Sequence, residues 1–172
     1  MVKGCRQRSG DYLETHSPVV QIESIHAILA IAVTKQLMIQ QMDIKGAYLN
    51  GTLKETLYMH QPDSFEDGSS RVCHLIKTLY GLKQSSHKWN AEFNIKMRKH
   101  GYKRLHADPC VYTCSDENTT AIITVWVDDL LLFANSAESM EEMKKDIQTE
   151  WETTDMGELT KIVGIKITQS PG

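Results

Sequence analysis

A chain of 172 residues, 41% of them hydrophobic, can bury one compact core. It carries no apolar run of membrane-spanning length and no signal-peptide pattern. Its 19 basic and 22 acidic residues leave a net charge of −3, which argues against a free-standing nucleic-acid binder unless a basic surface lies elsewhere in a longer product.

Ser17-Pro18 predicts a helix start, a cap residue followed by proline in the first turn. Ile22, Ile25, Leu29, Ala32 and Val33 then form an apolar stripe at helical spacing. This helix feeds a strand over 38–43. Asn50-Gly51 predicts a turn, Leu57-Tyr58-Met59 a short strand stopped near Pro62, the polar stretch 63–71 a loop, and 71–76 another strand. A second helix begins near Ser85 or Ser86, carries Trp89, Phe93 and Met97 on one face and ends at Gly101. Asp108-Pro109 is a turn, and strands follow over 110–114, 121–127 and 130–134. A third helix over 137–151 buries Met140, Met143, Ile147 and Trp151, while Glu138, Glu141 and Glu142 suit its positive N-terminal end. A last strand covers 160–168. This order predicts an α+β fold, an antiparallel sheet with helices packed on one face.

Cys5, Cys73, Cys110 and Cys114 are scattered as in a reduced, intracellular protein. Cys110 and Cys114 fall in a predicted strand, about 13 Å apart on one face, too far for one zinc ion, so both are read as packing residues. The seven histidines show no ligand spacing.

The most informative stretch is Ala121-Ile-Ile-Thr-Val-Trp-Val-Asp128-Asp129-Leu-Leu-Leu-Phe-Ala134. Two acids inside an apolar hairpin are costly unless a cation or tight donors compensate them. Asp-Asp is also a poor two-residue turn, where Asn-Gly or Asp-Gly is favoured. A solvated hairpin tip remains the simpler reading of this dipeptide alone. Asp43, at the end of another strand-like run, adds a carboxylate from a second chain segment, as a two-metal site requires.

Several segments together resemble the reverse transcriptase of Ty1/copia-type retrotransposons. They are Asp11-Tyr-Leu-Glu-Thr-His-Ser-Pro-Val-Val20, Gln41-Met-Asp-Ile-Lys-Gly-Ala-Tyr-Leu-Asn-Gly51 and Leu57-Tyr-Met-His-Gln-Pro62. Leu79-Tyr-Gly-Leu-Lys-Gln84, Ala107-Asp-Pro-Cys-Val-Tyr112, Val125-Trp-Val-Asp-Asp129 and Met156-Gly-Glu-Leu159 complete the set. Each is weak alone; their shared order and spacing is specific. The resemblance implies a reverse-transcriptase palm with partial fingers and no thumb. It also implies two Mg²⁺ or Mn²⁺ ions held by Asp43, Asp128 and Asp129, with the Ile44 carbonyl a further ligand. Tyr48 would lie under the sugar and exclude a 2′-hydroxyl, an ordinary core aromatic being the alternative. Gly46 and Ala47 would let backbone N–H groups approach the triphosphate. Gln84 would lie near the incoming nucleotide, a helix-start polar residue being its alternative. Ile162-Val-Gly-Ile-Lys-Ile167 would begin the primer grip, with Gly164 permitting close approach. Implied partners are an RNA or DNA template with primer, dNTPs and the remaining Pol polyprotein segments, with no membrane.

The chain departs from the family pattern at several points. Trp126 replaces the tyrosine usual before Val-Asp-Asp, Gln84-Ser85-Ser86-His87 stands where Gln-Ala-Pro-Arg is common, and Lys166 replaces an acid. Met1-Val-Lys-Gly resembles the tail of the fingers' basic hairpin. The expectation is therefore a reverse transcriptase domain over 1–172, truncated at both ends. Two functions follow: RNA-directed DNA synthesis, or a catalytically silent remnant that keeps the fold and a binding surface.

Overall fold

A computed structural model describes residues 4–8, 10–12, 14–116, 118–162 and 165–168. Among them run α1 (Ile22–Thr34), β1 (Met38–Ile44), β2 (Thr52–His60), β3 (Val72–Lys77), α2 (Ser85–Lys99), β4 (Lys103–Arg104) and β5 (Val111–Ser115). There follow β6 (Thr120–Trp126), β7 (Asp129–Ala134), α3 (Ala137–Glu150), β8 (Thr153–Glu158), β9 (Lys161–Ile162) and β10 (Ile165–Lys166). The chain divides into two compact units, one from Met1–Ser17 and Gly46–Phe93, the other from Pro18–Lys45 and Asn94–Gly172.

The second unit is built on an antiparallel sheet in the order β4-β5-β6-β7-β1-β8. Side chains alternate between faces along each strand. Ile39 of β1, Ile122 of β6 and Leu131 and Phe133 of β7 form one core with Ile25, Ile28 and Ala32 of α1. Met42, Ile44, Ile123, Leu130 and Leu132 point the other way and are fully buried too. On that face lies α3, which packs against β6 and β7 through Met140, Met143 and Ile147. The sheet is thus covered on both faces, not on one as the sequence suggests, because its central strands are apolar on both sides. A run such as Leu130-Leu-Leu-Phe133 needs cover above and below.

Helix α1 starts four residues later than Ser17-Pro18 suggests. The Ser17 hydroxyl donates to the Ser86 carbonyl instead of capping a helix. The start is fastened from far along the chain, where Asp108 Oδ2 accepts the Gln21 N–H at 2.9 Å. Val33, placed in the apolar stripe by spacing, is 77% exposed. Helix α3 begins at Ser136, whose hydroxyl accepts the Ser139 N–H. The polar strand β8 has no hydrophobic alternation, yet it pairs with β1 through a bulge beside Gly157, whose φ is 72°. The single strand expected over 160–168 is a hairpin of β9 and β10; Gly164 lies outside the described residues. Cys110 sits just before β5 and is buried, with its thiol pushed up to about 12 by that burial, as befits a packing residue.

The first unit rests on the β2–β3 ribbon, whose inner side chains Leu53, Leu57 and Leu75 cluster with Leu79 and Leu82. The ribbon strand β2 runs well beyond the three residues its sequence suggests. The turn expected at Asn50-Gly51 is the end of a 3-10 turn, Ala47–Asn50. Glycine is needed at 51 because of crowding: a Cβ there would lie 2.6 Å from Thr78 Oγ1 and 3.0 Å from Lys88 Cβ. The N-terminal segment is tied on through Gln7, Glu14, His16 and Ser17.

One ion cluster locks the end of α2 to α3. Glu150 meets Lys96 Nζ at 2.8 Å, Lys99 Nζ at 3.0 Å and His100 Nε2 at 3.0 Å, with only 6% of its side chain exposed. These donors hold its carboxyl down at about 2. A depressed carboxyl stabilises the folded chain above the unfolded carboxylate range, and that gain is lost as pH falls through the folded value. Glu150→Gln is expected to lower the melting temperature at pH 7 by about 5 °C, roughly 2 kcal/mol at this chain length. The gap should close as pH falls from about 4.5 toward 2, as thermal melts across that range will show.

Candidate active site

The site lies at one end of the six-stranded sheet, where β1 finishes and β7 begins. Pairing of the two strands runs from Met38 opposite Ala134 to Asp43 opposite Asp129. Directly paired residues share a face, with Cβ atoms about 5 Å apart, so these two carboxylates face the same side. Asp128 belongs to the connecting turn, and its carbonyl accepts the Ile44 N–H at 2.9 Å. The three aspartates predicted from two distant segments therefore meet within one unit, all partly exposed.

Their charges act on one another. The Asp43 carboxyl is pushed up, first by desolvation, then by Asp128 and then by Asp129, while Lys45 pulls it back. Asp129 Oδ1 accepts a hydrogen bond from Gln41 Nε2 at 3.0 Å. Gln41, which sequence reasoning missed, stands two residues before Asp43 and so on the same face; only its polarity in an interior strand signalled it.

The turn itself corrects one expectation. Trp126 pairs with Asp129, so the two turn residues are Val127 and Asp128, not the acid pair. Val127 has φ 59°, a left-handed conformation that glycine takes freely and a β-branched residue adopts only under strain. Positive φ at the first turn position alone is the pattern of a type II′ hairpin turn. Trp126 is partly buried against the α1 core, which accounts for the bulk beside the acids.

Carboxylates are hard oxygen donors of the type that Mg²⁺ and Mn²⁺ take, and the mutual influence of the three charges fits a site that binds a cation. Among the described residues, no group of three or more His, Cys, Asp or Glu side chains is gathered to hold a metal ion as placed. The backbone brings the carboxylates together; their side chains are not closed on one point. The Ile44 side chain is fully buried, and the residue pairs with Thr153 of β8.

The residues predicted to meet a nucleotide fall in the other unit. Gly46 adopts φ 61° and ψ 46°, left-handed, and begins the 3-10 turn in which Ala47 is fully buried. The Tyr48 ring tilts against Tyr80, centroids 4.9 Å apart, and its carbonyl accepts from the Thr78 hydroxyl. Gln84 is fully buried, with Oε1 accepting from Gln7 Nε2 at 3.0 Å and Nε2 donating to the Asp11 carbonyl at 3.1 Å. Both ends of its amide thus serve the N-terminal segment. His87, where arginine is common in the family, meets the His16 carbonyl at 2.7 Å and Glu14 at 3.2 Å.

Strain at Val127 has a measurable consequence. Val127→Gly should change stability by no more than about 1 kcal/mol, since relief of strain offsets the added freedom of the unfolded chain. Val125→Gly, at a site 5% exposed two residues earlier in β6, should cost about 3 kcal/mol or more. Urea titration of the two variants makes the comparison.

The whole chain, residues 1–172, matches the family described as reverse transcriptase (RNA-dependent DNA polymerase). It is 38% identical over 171 residues to the retrovirus-related Pol polyprotein from transposon TNT 1-94 of Nicotiana tabacum, covering 97% of this chain and 13% of that polyprotein. Identity to the retrovirus-related Pol polyprotein from transposon RE1 of Arabidopsis thaliana is 33% over 174 residues, 99% of this chain and 12% of the relative. The transposon Ty1-H Gag-Pol polyprotein of Saccharomyces cerevisiae is 27% identical over 146 residues, 81% of this chain and 8% of its own length. The chain thus spans about an eighth or less of these relatives. No solved structure matches it, and among the described residues no helix is long and apolar enough to cross a membrane. Matched over its full length, the chain belongs to the reverse transcriptase family of copia-type transposon Pol polyproteins.

Proposed function

We propose that the chain forms the palm of a retrotransposon RNA-directed DNA polymerase, in which Asp43, Asp128 and Asp129 hold two divalent ions for nucleotidyl transfer. The observation that carries this is the pairing of Asp43 with Asp129 beside the Asp128 turn, three carboxylates from two segments at one sheet end. Bound there, two Mg²⁺ or Mn²⁺ ions would lower the pKa of a primer 3′-hydroxyl and neutralise charge on the leaving pyrophosphate. The primer oxygen attacks the α-phosphorus of a dNTP, the bond to pyrophosphate breaks, and the hydroxyl proton departs to solvent.

The chain's own residues supply position and charge. Asp43 and Asp129 act from facing strands and Asp128 from the turn, with the Ile44 carbonyl as a further oxygen donor at the end of β1. Tyr48 is assigned to the sugar, and Gly46 and Ala47 to the triphosphate, by the family resemblance. A nucleotide role for Gln84 requires its bonds to Gln7 and Asp11 to open first. An RNA or DNA template with primer completes the reaction, in the setting of a longer Pol polyprotein.

Two measurements test this reading. Primer extension on poly(rA)/oligo(dT) should fall at least 100-fold in Asp128→Asn; equal incorporation by both proteins would remove the catalytic claim and leave a silent fold. Stability gives an independent check. A carboxyl pushed up in the fold stabilises the chain below the unfolded value, and that contribution is lost as pH rises through the folded value. Asp43→Asn should therefore raise the melting temperature at pH 7 by about 2 °C, on the order of 0.5–1 kcal/mol. The gain should vanish near pH 3, where wild-type Asp43 is itself protonated, and thermal melts without divalent ions at both pH values will decide it.

A further inference from the structure

Beyond the three carboxylates, we propose that Gln41 is a positioning residue that anchors Asp129 by its neutral amide and so sets the divalent-ion affinity of the site. The inference rests on the metal-site reading above and adds to it a residue with no place in the ligand set.

Period-2 alternation puts Gln41 and Asp43 on one face of β1. The register sets Asp43 against Asp129 and Gln41 against Leu131, so Gln41 is the diagonal neighbour of Asp129. Long side chains reach across such diagonals, and Nε2 donates to Asp129 Oδ1 at 3.0 Å. Gln41 is only 8% exposed and lies between β7 and β8. A buried amide in an interior strand is costly unless it is used, and the next inward residue on that face, Ile39, is apolar and packed against α1.

The two acids next to the hairpin are held in different ways. Asp128 is held by its backbone, through the Ile44 N–H. Asp129 is held by its carboxylate, through Gln41. With Oδ1 engaged, Oδ2 is the oxygen left to face an ion.

The residue type follows from the task. Lysine at 41 would cancel one negative charge of the site and compete with the ion. Glutamate would repel Asp129, and leucine would leave the carboxylate free to swing. An amide donates one hydrogen bond and leaves the full charge for the cation. Partners that orient a liganding group in this manner typically change metal affinity by about 10- to 100-fold when removed.

The test uses the 172-residue chain with Mn²⁺ alone as probe, its affinity read by electron paramagnetic resonance. Variants are Gln41→Met, Gln41→Asn and Asp128→Asn. Methionine keeps the length and packing of the side chain without its donor, so the metal-free melting temperature should stay within a few degrees of wild type while Mn²⁺ affinity falls at least 10-fold. Asparagine, one methylene shorter, should fall between. Wild-type affinity in Gln41→Met overturns the proposal and leaves the carboxylate site standing. Equal Mn²⁺ binding by wild type and Asp128→Asn overturns the site reading itself, and the proposal with it. A second measurement leaves position 41 intact: the Gln41 side-chain amide signal in ¹H–¹⁵N spectra should move on Asp129→Asn. An unmoved signal overturns the proposal even if the position-41 variants fail to fold.

Discussion

The antiparallel pairing of β1 with β7 decides where every charged group of the site stands. Six residue pairs, from Met38 with Ala134 to Asp43 with Asp129, fix the register. A slip of one residue would turn Asp43 and Gln41 to the opposite face and bring Met42 and Ile44 to this one. That slip is prevented by packing on both sides: Ile39, Leu131 and Phe133 are buried against α1, and Met42, Leu130 and Leu132 on the other face. The apolar core thus serves the site by making one register far better than its neighbours.

The same arrangement explains why the acids can sit at a sheet end at all. On their face the α1 core reaches Ile39, Leu131 and Phe133, with Trp126 partly buried at its margin. Beyond it, residues 126–129 are only partly buried, as is Asp43. The Asp43 carboxyl is nonetheless raised, by desolvation first and then by the neighbouring charges of Asp128 and Asp129.

Much of this was legible in the sequence where one signal acted locally. The helical spacing of Trp89, Phe93 and Met97, the buried stripe of α3 and the β6–β7 hairpin follow from periodicity that needs no distant partner. The misplaced start of α1 and the unexpected strand β8 share a cause, dependence on a residue far along the chain. Helix α1 begins where Asp108 can accept from Gln21, 87 positions away. Strand β8 is a polar run that exists because β1 offers it an unpaired edge. The resemblance to copia-type polymerases located the three aspartates, but the turn residues were shifted by one, since only the ladder shows that Trp126 faces Asp129. The His87 departure likewise makes sense only against the N-terminal segment, where its ring meets the His16 carbonyl and Glu14.

What singles out this sheet end, apart from any likeness to other proteins, is how many local rules break there together. Val127 takes a backbone conformation suited to glycine, Asp43 and Asp129 oppose like charges across a ladder, and Gln41 buries an amide in an interior strand. Each is unfavourable alone, by roughly 0.2–3 kcal/mol. At the other end of the same strand pair, Ile39, Phe133 and Ala134 obey every rule of pattern and packing. Unfavourable features spread at random would mark a poor sequence for the fold. Gathered within the span of one hairpin tip and one strand end, they mark a place where the chain keeps negative charge in fixed positions despite its cost, and the proposed divalent ions are what would remove that cost.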